Sequence, residues 1–194
     1  MDLLEMLASG LVNPKTLNKV GSKVQAKPDQ VMQMAQLALP TLLTAMSRNA
    51  STKEGAESLS RALDNHSGDN VDDFDSYFDS VDMDDGAKIL NHVFSGKAQK
   101  VQSGIARNTG LDASQVAGLL AQFAPLLLGL LGQQKKRDNI GTEGIPGLLS
   151  SLSGSADKLG GGNIADLATR FLDADSDGDI MDDIGGFLGS LGRK

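Results

Sequence analysis

The sequence predicts an all-α protein: two related helical repeat units forming a helical bundle, followed by a C-terminal EF-hand-like acidic loop. Three observations carry that prediction. The 194 residues are 40% hydrophobic but only 4% aromatic, with no Trp. Leu, Ala, Met and Val must therefore fill the core, a composition that favours helices over a β-sandwich. No stretch alternates polar and apolar residues as a half-buried strand would. Finally, one long helical pattern is written twice.

The duplicated pattern aligns Gln30–Met46 with Gln115–Leu131 without a gap. Gln30, Val31 and Pro40 coincide with Gln115, Val116 and Pro125, and Leu42 and Leu43 coincide with Leu127 and Leu128. Upstream, Val20–Val24 echoes Val101–Ile105. Downstream, Glu54 and Gly55 with Leu59 and Leu63 echo Glu143 and Gly144 with Leu148 and Leu152. Matches in the same order on both sides of a central match are the signature of an internal repeat. The boundaries that follow are 1–85 for a first helical repeat with a degenerate acidic loop and 86–158 for a second repeat. Residues 159–194 make a Gly-rich linker and a C-terminal helix–loop–helix.

Helices are expected near 2–9, 15–25, 29–39, 40–48, 52–64, 71–82, 86–95, 98–108, 113–124, 125–133, 143–153, 163–172 and 180–190. Ser51 with Glu54, and Asp112 with Gln115, have capping-box spacing. Pro40 and Pro125 lack an N–H and crowd the preceding turn, so each is expected to kink its helix or open a new one. The weakest order is expected over Gly154–Asn163, where a triple glycine resists helix.

Net charge is −7 and the only short basic cluster is Lys135-Lys136-Arg137, which argues against nucleic acid as a partner. There is no Cys, so disulfides, thiolate metal sites and Cys nucleophiles are excluded. Acids at Asp2 and Glu5 interrupt the first apolar run, unlike a secretory signal. A cytoplasmic protein is expected. Residues 116–132 are apolar except for Gln122, which is at the lower limit for a spanning helix. The equivalent helix of the first repeat carries Gln33, Gln36, Thr41 and Thr44. That soluble amphipathic pattern favours a buried core helix over a membrane span.

Spacing alone names a chemistry in one place. Asp173, Asp175 and Asp177 alternate ahead of Gly178, the first half of a calcium loop whose ligands are side-chain oxygens at positions 1, 3 and 5 with Gly at 6. Asp179 would offer its backbone carbonyl at position 7, and Ile180 fits the apolar position that follows. The twelfth position is Ile184, which cannot bind. A loop one residue shorter, closed by Asp183 with Asp182 beside it, is therefore expected to hold Ca²⁺, a hard cation suited to oxygen ligands. The counterpart after the first repeat, Asp64–Phe74, keeps Gly68-Asp69 and Asp72-Asp73. It has Asn65, His66 and Ser67 where the alternating acids should be, and is read as a decayed loop. Asp75, Asp79, Asp82, Asp84 and Asp85 are read as a solvated helix face or connector, and His92 as a half-buried helix histidine. No Gly-rich phosphate loop, nucleophile elbow or H-E-x-x-H motif is present.

Several of these segments resemble a known family: Asp85–Gly96, Gly110–Asp112, Leu119–Leu131 and Leu172–Asp183. Together they are similar to the bacterial family called domain of unknown function 937, related to the YidB-like proteins. The resemblance implies an all-helical cytoplasmic fold and no established activity. It also implies that members can carry the acidic loop in both halves, a pattern from which the first half here departs.

The expected function is that of a non-catalytic helical binding or scaffold protein with a structural Ca²⁺ site, acting on an unidentified protein partner or through self-association. Two alternatives stay open. One is a membrane-associated protein using 116–132, and the other is a hydrolase using the acidic cluster. No enzyme is expected.

Overall fold

The structure, a computed structural model, describes residues 10–11, 13–160 and 172. Among the described residues the secondary structure is helical, without strands. The elements are α1 (Pro14–Ser22), α2 (Pro28–Asn49), α3 (Lys53–His66), α4 (Phe74–Ser80), α5 (Met83–Val93), α6 (Ala98–Thr109), α7 (Ala113–Arg137), a 3-10 turn (Thr142–Gly144) and α8 (Ile145–Gly160).

Local chemistry sets most of the boundaries. Pro14 and Pro28 open their helices at the position where a missing N–H costs nothing. Asn13, Asp73 and Asp82 cap α1, α4 and α5 by accepting backbone N–H groups of the first turn. The capping box at α7 is complete. Asp112 Oδ1 accepts the Gln115 N–H at 2.8 Å, and Gln115 Oε1 accepts the Asp112 N–H at 3.1 Å. At α2, Gln30 Oε1 accepts the Lys27 N–H at 3.1 Å in the same way. The cap of α3 is Thr52, not Ser51: the Thr52 hydroxyl accepts the Gly55 N–H at 3.1 Å. Helix α6 stops where Gly110 takes a left-handed φ of 67°.

The expected division into separate helices at Pro40 and at Pro125 is corrected. Helix α2 runs through Pro40 and α7 runs through Pro125. A proline inside a helix costs about 3 kcal/mol, whereas one fully buried leucine stabilises by about 1.5–3 kcal/mol. Leu42 and Leu43 after Pro40, and Leu126, Leu127 and Leu128 after Pro125, are at most 1% exposed, so packing outweighs the break. Neighbouring threonines also engage carbonyls around Pro40. Thr41 donates its hydroxyl to the Leu37 carbonyl at 2.7 Å and Thr44 donates to the Pro40 carbonyl at 2.8 Å. The expectation of weak order is corrected for residues 154–160, because α8 continues to Gly160, and the rest of that segment lies outside the described residues. The helices expected near 2–9, 163–172 and 180–190 lie outside the described residues, apart from Leu172.

The core is organised around α7. Helices α1, α2, α3, α5 and α6 all pack on it, and Val116, Leu119, Leu120, Phe123, Leu126, Leu127, Leu130 and Leu131 are completely buried. A helix that is apolar all round belongs inside a core or a membrane. Here 83% of its most apolar window is buried against the other helices. Gly86 on α5 and Gly132 on α7 let backbones approach: a Cβ at Gly86 would strike the Ala121 carbonyl, and one at Gly132 the Leu63 carbonyl. These contacts bring α3 and α5 down onto α7, and the candidate site lies between their ends.

Candidate functional site

A cleft of about 440 Å³ opens where α3 ends, α4 runs and α5 begins. His66, Asp69, Tyr77, Asp82, Asp85 and Lys88 line it, with Pro125 of α7 among the lining residues. The connection from α3 to α4 is held from below. Ser67 donates its hydroxyl to the Asp64 carbonyl at 2.8 Å, and the Asp69 N–H donates to the His66 carbonyl at 3.1 Å. Val71 turns into the core and is fully buried against Gly129. Gln133 of α7 donates to the Asp69 carbonyl at 3.1 Å. The loop backbone is thereby fixed at Asp69 through both its N–H and its carbonyl.

His66, the last residue of α3, stands between two carboxylates. Its Nδ1 lies 2.8 Å from Asp69 Oδ2 and its Nε2 lies 3.5 Å from Asp85 Oδ2. The ring is 18% exposed, against 37% and 40% for the two aspartate side chains. Only an imidazolium donates from both nitrogens; a neutral ring turns a lone pair toward one carboxylate. Asp85 comes from the first turn of α5. Its N–H, with that of Asp84, is capped by Asp82 Oδ1 at 3.1 and 2.9 Å. Tyr77, on α4, is 8% exposed and packs edge-on against Phe78 with ring centroids 5.3 Å apart. Burial first, then the charges of Asp69 and Asp85, push its phenol well above the ordinary tyrosine range.

The aspartates of the first acidic loop are thus shared out among different partners. Asp64 is bound by Lys135 of α7, whose side chain is 10% exposed. Asp69 goes to His66. Asp73 caps α4, accepting from the Ser76 hydroxyl at 2.6 Å and its N–H at 3.2 Å, which hold its carboxyl below the ordinary range. The following run was read as a solvated face or connector; Asp79, Asp82 and Asp84 are exposed, and two acids of the run also make ion pairs. Asp75 pairs with Lys15 at 2.5 Å and accepts from the Thr16 hydroxyl at 3.3 Å. Asp79 pairs with Lys19 at 2.8 Å, so the acids of α4 fasten it to α1. His92 is exposed rather than half-buried. Its Nε2 lies 3.2 Å from the Ser58 hydroxyl, in a second shallow cleft with Asn49 and Ser95.

The calcium-type residues Asp173, Asp175, Asp177, Asp179, Asp182 and Asp183 all lie outside the described residues. Sequence reasoning singled them out and passed over the His66–Asp69–Asp85 cluster. The missing signal is tertiary, because Asp85 reaches His66 only after α5 folds back across α7.

Comparison with known families gives a match: the model of a bacterial protein of unknown function, DUF937, covers residues 5–134. That span takes in all the lining residues of the cleft named above. Comparison with curated proteins and with solved structures gives no match.

Proposed function

The chain belongs to this bacterial family of unknown function, and from that premise we propose that it is a non-catalytic helical binding protein whose C-terminal acidic loop holds a structural Ca²⁺. The observation that carries the binding reading is the acidic cleft, built on helix ends fixed by the packing of α3 and α5 on α7. A concave site with a few convergent polar groups on rigid supports is suited to holding a ligand. The calcium reading rests on the alternation of Asp173, Asp175 and Asp177 ahead of Gly178. Those carboxylates repel one another until a cation neutralises them, so Ca²⁺ would order the loop.

We also read the chain as an internal duplication, and several correspondences support it. Helices α1–α2–α3 recur in order as α6–α7–α8. The aligned Gln30 and Gln115 both accept the N–H three residues before them. The aligned pairs Val20 and Val101, Val31 and Val116, and Leu42 and Leu127 are all fully buried. Packing is reciprocal as well: α2 lies on α8 as α7 lies on α3, the exchange expected of two halves related by an approximate two-fold.

The test is calorimetric titration of the whole chain with Ca²⁺, beside a variant carrying Asp175→Asn and Asp177→Asn. Saturable binding by the native chain and its loss in the variant are expected. No heat at millimolar Ca²⁺ would remove the metal from this reading.

A further inference from the structure

We infer that the cleft between α3, α4 and α5 binds an alkylammonium group, with Asp69, Asp85 and the Tyr77 hydroxyl as its acceptors. The inference deepens the reading as a binding protein by naming the ligand chemistry, and it is independent of the calcium loop. Three observations on different elements converge on it.

First, Tyr77 is 92% buried, taking 8% exposure from the whole, yet its hydroxyl makes no hydrogen bond among the described residues and the residue lines the cleft. The hydroxyl oxygen is not itself closed off, since Gln122 Oε1 alone is both buried and unpartnered among the described side chains, so it remains an acceptor open to a ligand in the cleft. The Tyr77 ring is fixed edge-on to Phe78, so the hydroxyl cannot swing away. Second, Asp69 and Asp85 each use Oδ2 on His66. Among the described residues the Oδ1 atoms make no hydrogen bond or ion pair, so each carboxylate has an acceptor in reserve. Third, Asp69, Asp85 and Tyr77 line the same cleft, and the charges of both aspartates raise the Tyr77 phenol.

The chemistry of the site selects the ligand. An ammonium has three donors and no acceptor, matching two carboxylate oxygens and a phenol oxygen that stays protonated. Among the titratable groups lining the cleft, Asp69, Asp82 and Asp85 outweigh Lys88, which disfavours anions. A metal ion fits less well. Among the described residues no group of three His, Asp or Glu side chains is placed to hold one ion. Val81 and Pro125 supply apolar lining along which methylenes could lie, as they do for long cationic side chains. A volume of about 440 Å³ admits a slender chain.

The ammonium could come from a free amine or from a lysine side chain, and the test separates them. The whole chain, with calcium chelated and at about 0.15 M salt to suppress diffuse attraction, is titrated with spermidine. Parallel titrations use a neutral peptide containing one lysine and the same peptide with that lysine acetylated. Tyr77 is the only tyrosine and there is no tryptophan, so intrinsic fluorescence reports directly from the site. Saturable change with spermidine or the lysine peptide, and none with the acetylated peptide, is expected. A peptide at least about ten-fold tighter than spermidine assigns the site to a protein lysine, and the reverse order assigns it to a free amine.

Asp69→Asn and Asp85→Asn should each weaken binding by about ten-fold. Tyr77→Phe, which keeps the ring packing and is followed by calorimetry, should weaken it several-fold. Absence of binding up to about 10 mM by both probes overturns the inference. So does equal binding of the acetylated peptide, or unchanged affinity in Tyr77→Phe and in a folded aspartate variant. None of these results bears on Ca²⁺ at Asp173–Asp183.

Discussion

Gly86 of α5 rests directly on the carbonyl of Ala121 in α7, with no room for a Cβ between them. This crossing sets the position of the first turn of α5, and with it Asp85 in the cleft. Inside a helix, Gly→Ala normally stabilises by up to about 1 kcal/mol. At Gly86 the sign should reverse, because the new methyl meets backbone that cannot rotate aside. Overpacking of this kind costs about 1–3 kcal/mol. Gly147 of α8 is the internal control: a Cβ there meets nothing within 4 Å. Denaturant unfolding should show Gly86→Ala less stable than the native chain and Gly147→Ala equally or slightly more stable. Parallel behaviour of the two variants would contradict the close crossing.

The Lys135–Asp64 pair should be asymmetric under mutation. The lysine side chain is 10% exposed and the aspartate 61%. Removing the carboxylate in Asp64→Ala leaves an ammonium against the core with only partial access to water, a loss of about 1–2 kcal/mol. Lys135→Met removes the charge and keeps the volume, so stability should change little or rise. Comparing midpoints of urea unfolding for the two variants decides the point; equal losses would mean that the pair acts as a simple surface ion pair.

Much of the fold was legible because it follows from local pattern. The apolar residues from Val116 to Leu131 have the composition of a core helix, and Asp112 with Gln115 announced its start. The continuity of α2 and α7 was not legible. Pro40 and Pro125 each give a strong local stop signal, and the burial that overrides it is a property of the assembled core. The cleft was illegible for a related reason. His66 and Asp85 are far apart in sequence, and their meeting depends on Gly86 crossing Ala121, while Asp75 and Asp79 find Lys15 and Lys19 only through the packing of α4 on α1. The acidic loop at Asp173–Asp183 was conspicuous by contrast because its chemistry depends on short-range spacing alone.

Acid should loosen the α1–α4 contact before the rest of the molecule. Hydrogen bonding and charge from Lys15, helped by Lys19 and Thr16, hold the Asp75 carboxyl below its ordinary value of 3.8. A carboxyl depressed in the folded state contributes stability that is present above the unfolded value and lost as pH falls through the folded one. The contribution should therefore be intact at neutral pH and disappear below about pH 4. It should also shrink in high salt, because these groups face water. Amide exchange across α4, followed from pH 6 to 3 in native chain and Asp75→Asn, should show extra acid-induced opening in the native chain only. Identical pH dependence in both would exclude Asp75 as the source.

Tyr77 gives the most direct readout of the cleft, since one tyrosine and no tryptophan leave its phenolate absorbance unobscured. Burial raises the phenol above its ordinary value of 10.0, and the charges of Asp69 and Asp85 raise it further. A raised value means that the folded state favours the neutral form. The resulting stability is fully present below pH 10 and is lost as pH rises through the folded value. In the folded chain the phenolate signal should be absent at about pH 10.5, where the urea-unfolded chain already shows it. At higher pH it should appear together with loss of helical circular dichroism. Asp69→Asn with Asp85→Asn should move the folded titration part of the way back toward 10, by the electrostatic share alone, since the ring stays buried. A phenolate that forms near pH 10 in the fully helical chain would mean that the hydroxyl is freely solvated, and would remove the support for an ammonium partner at this site.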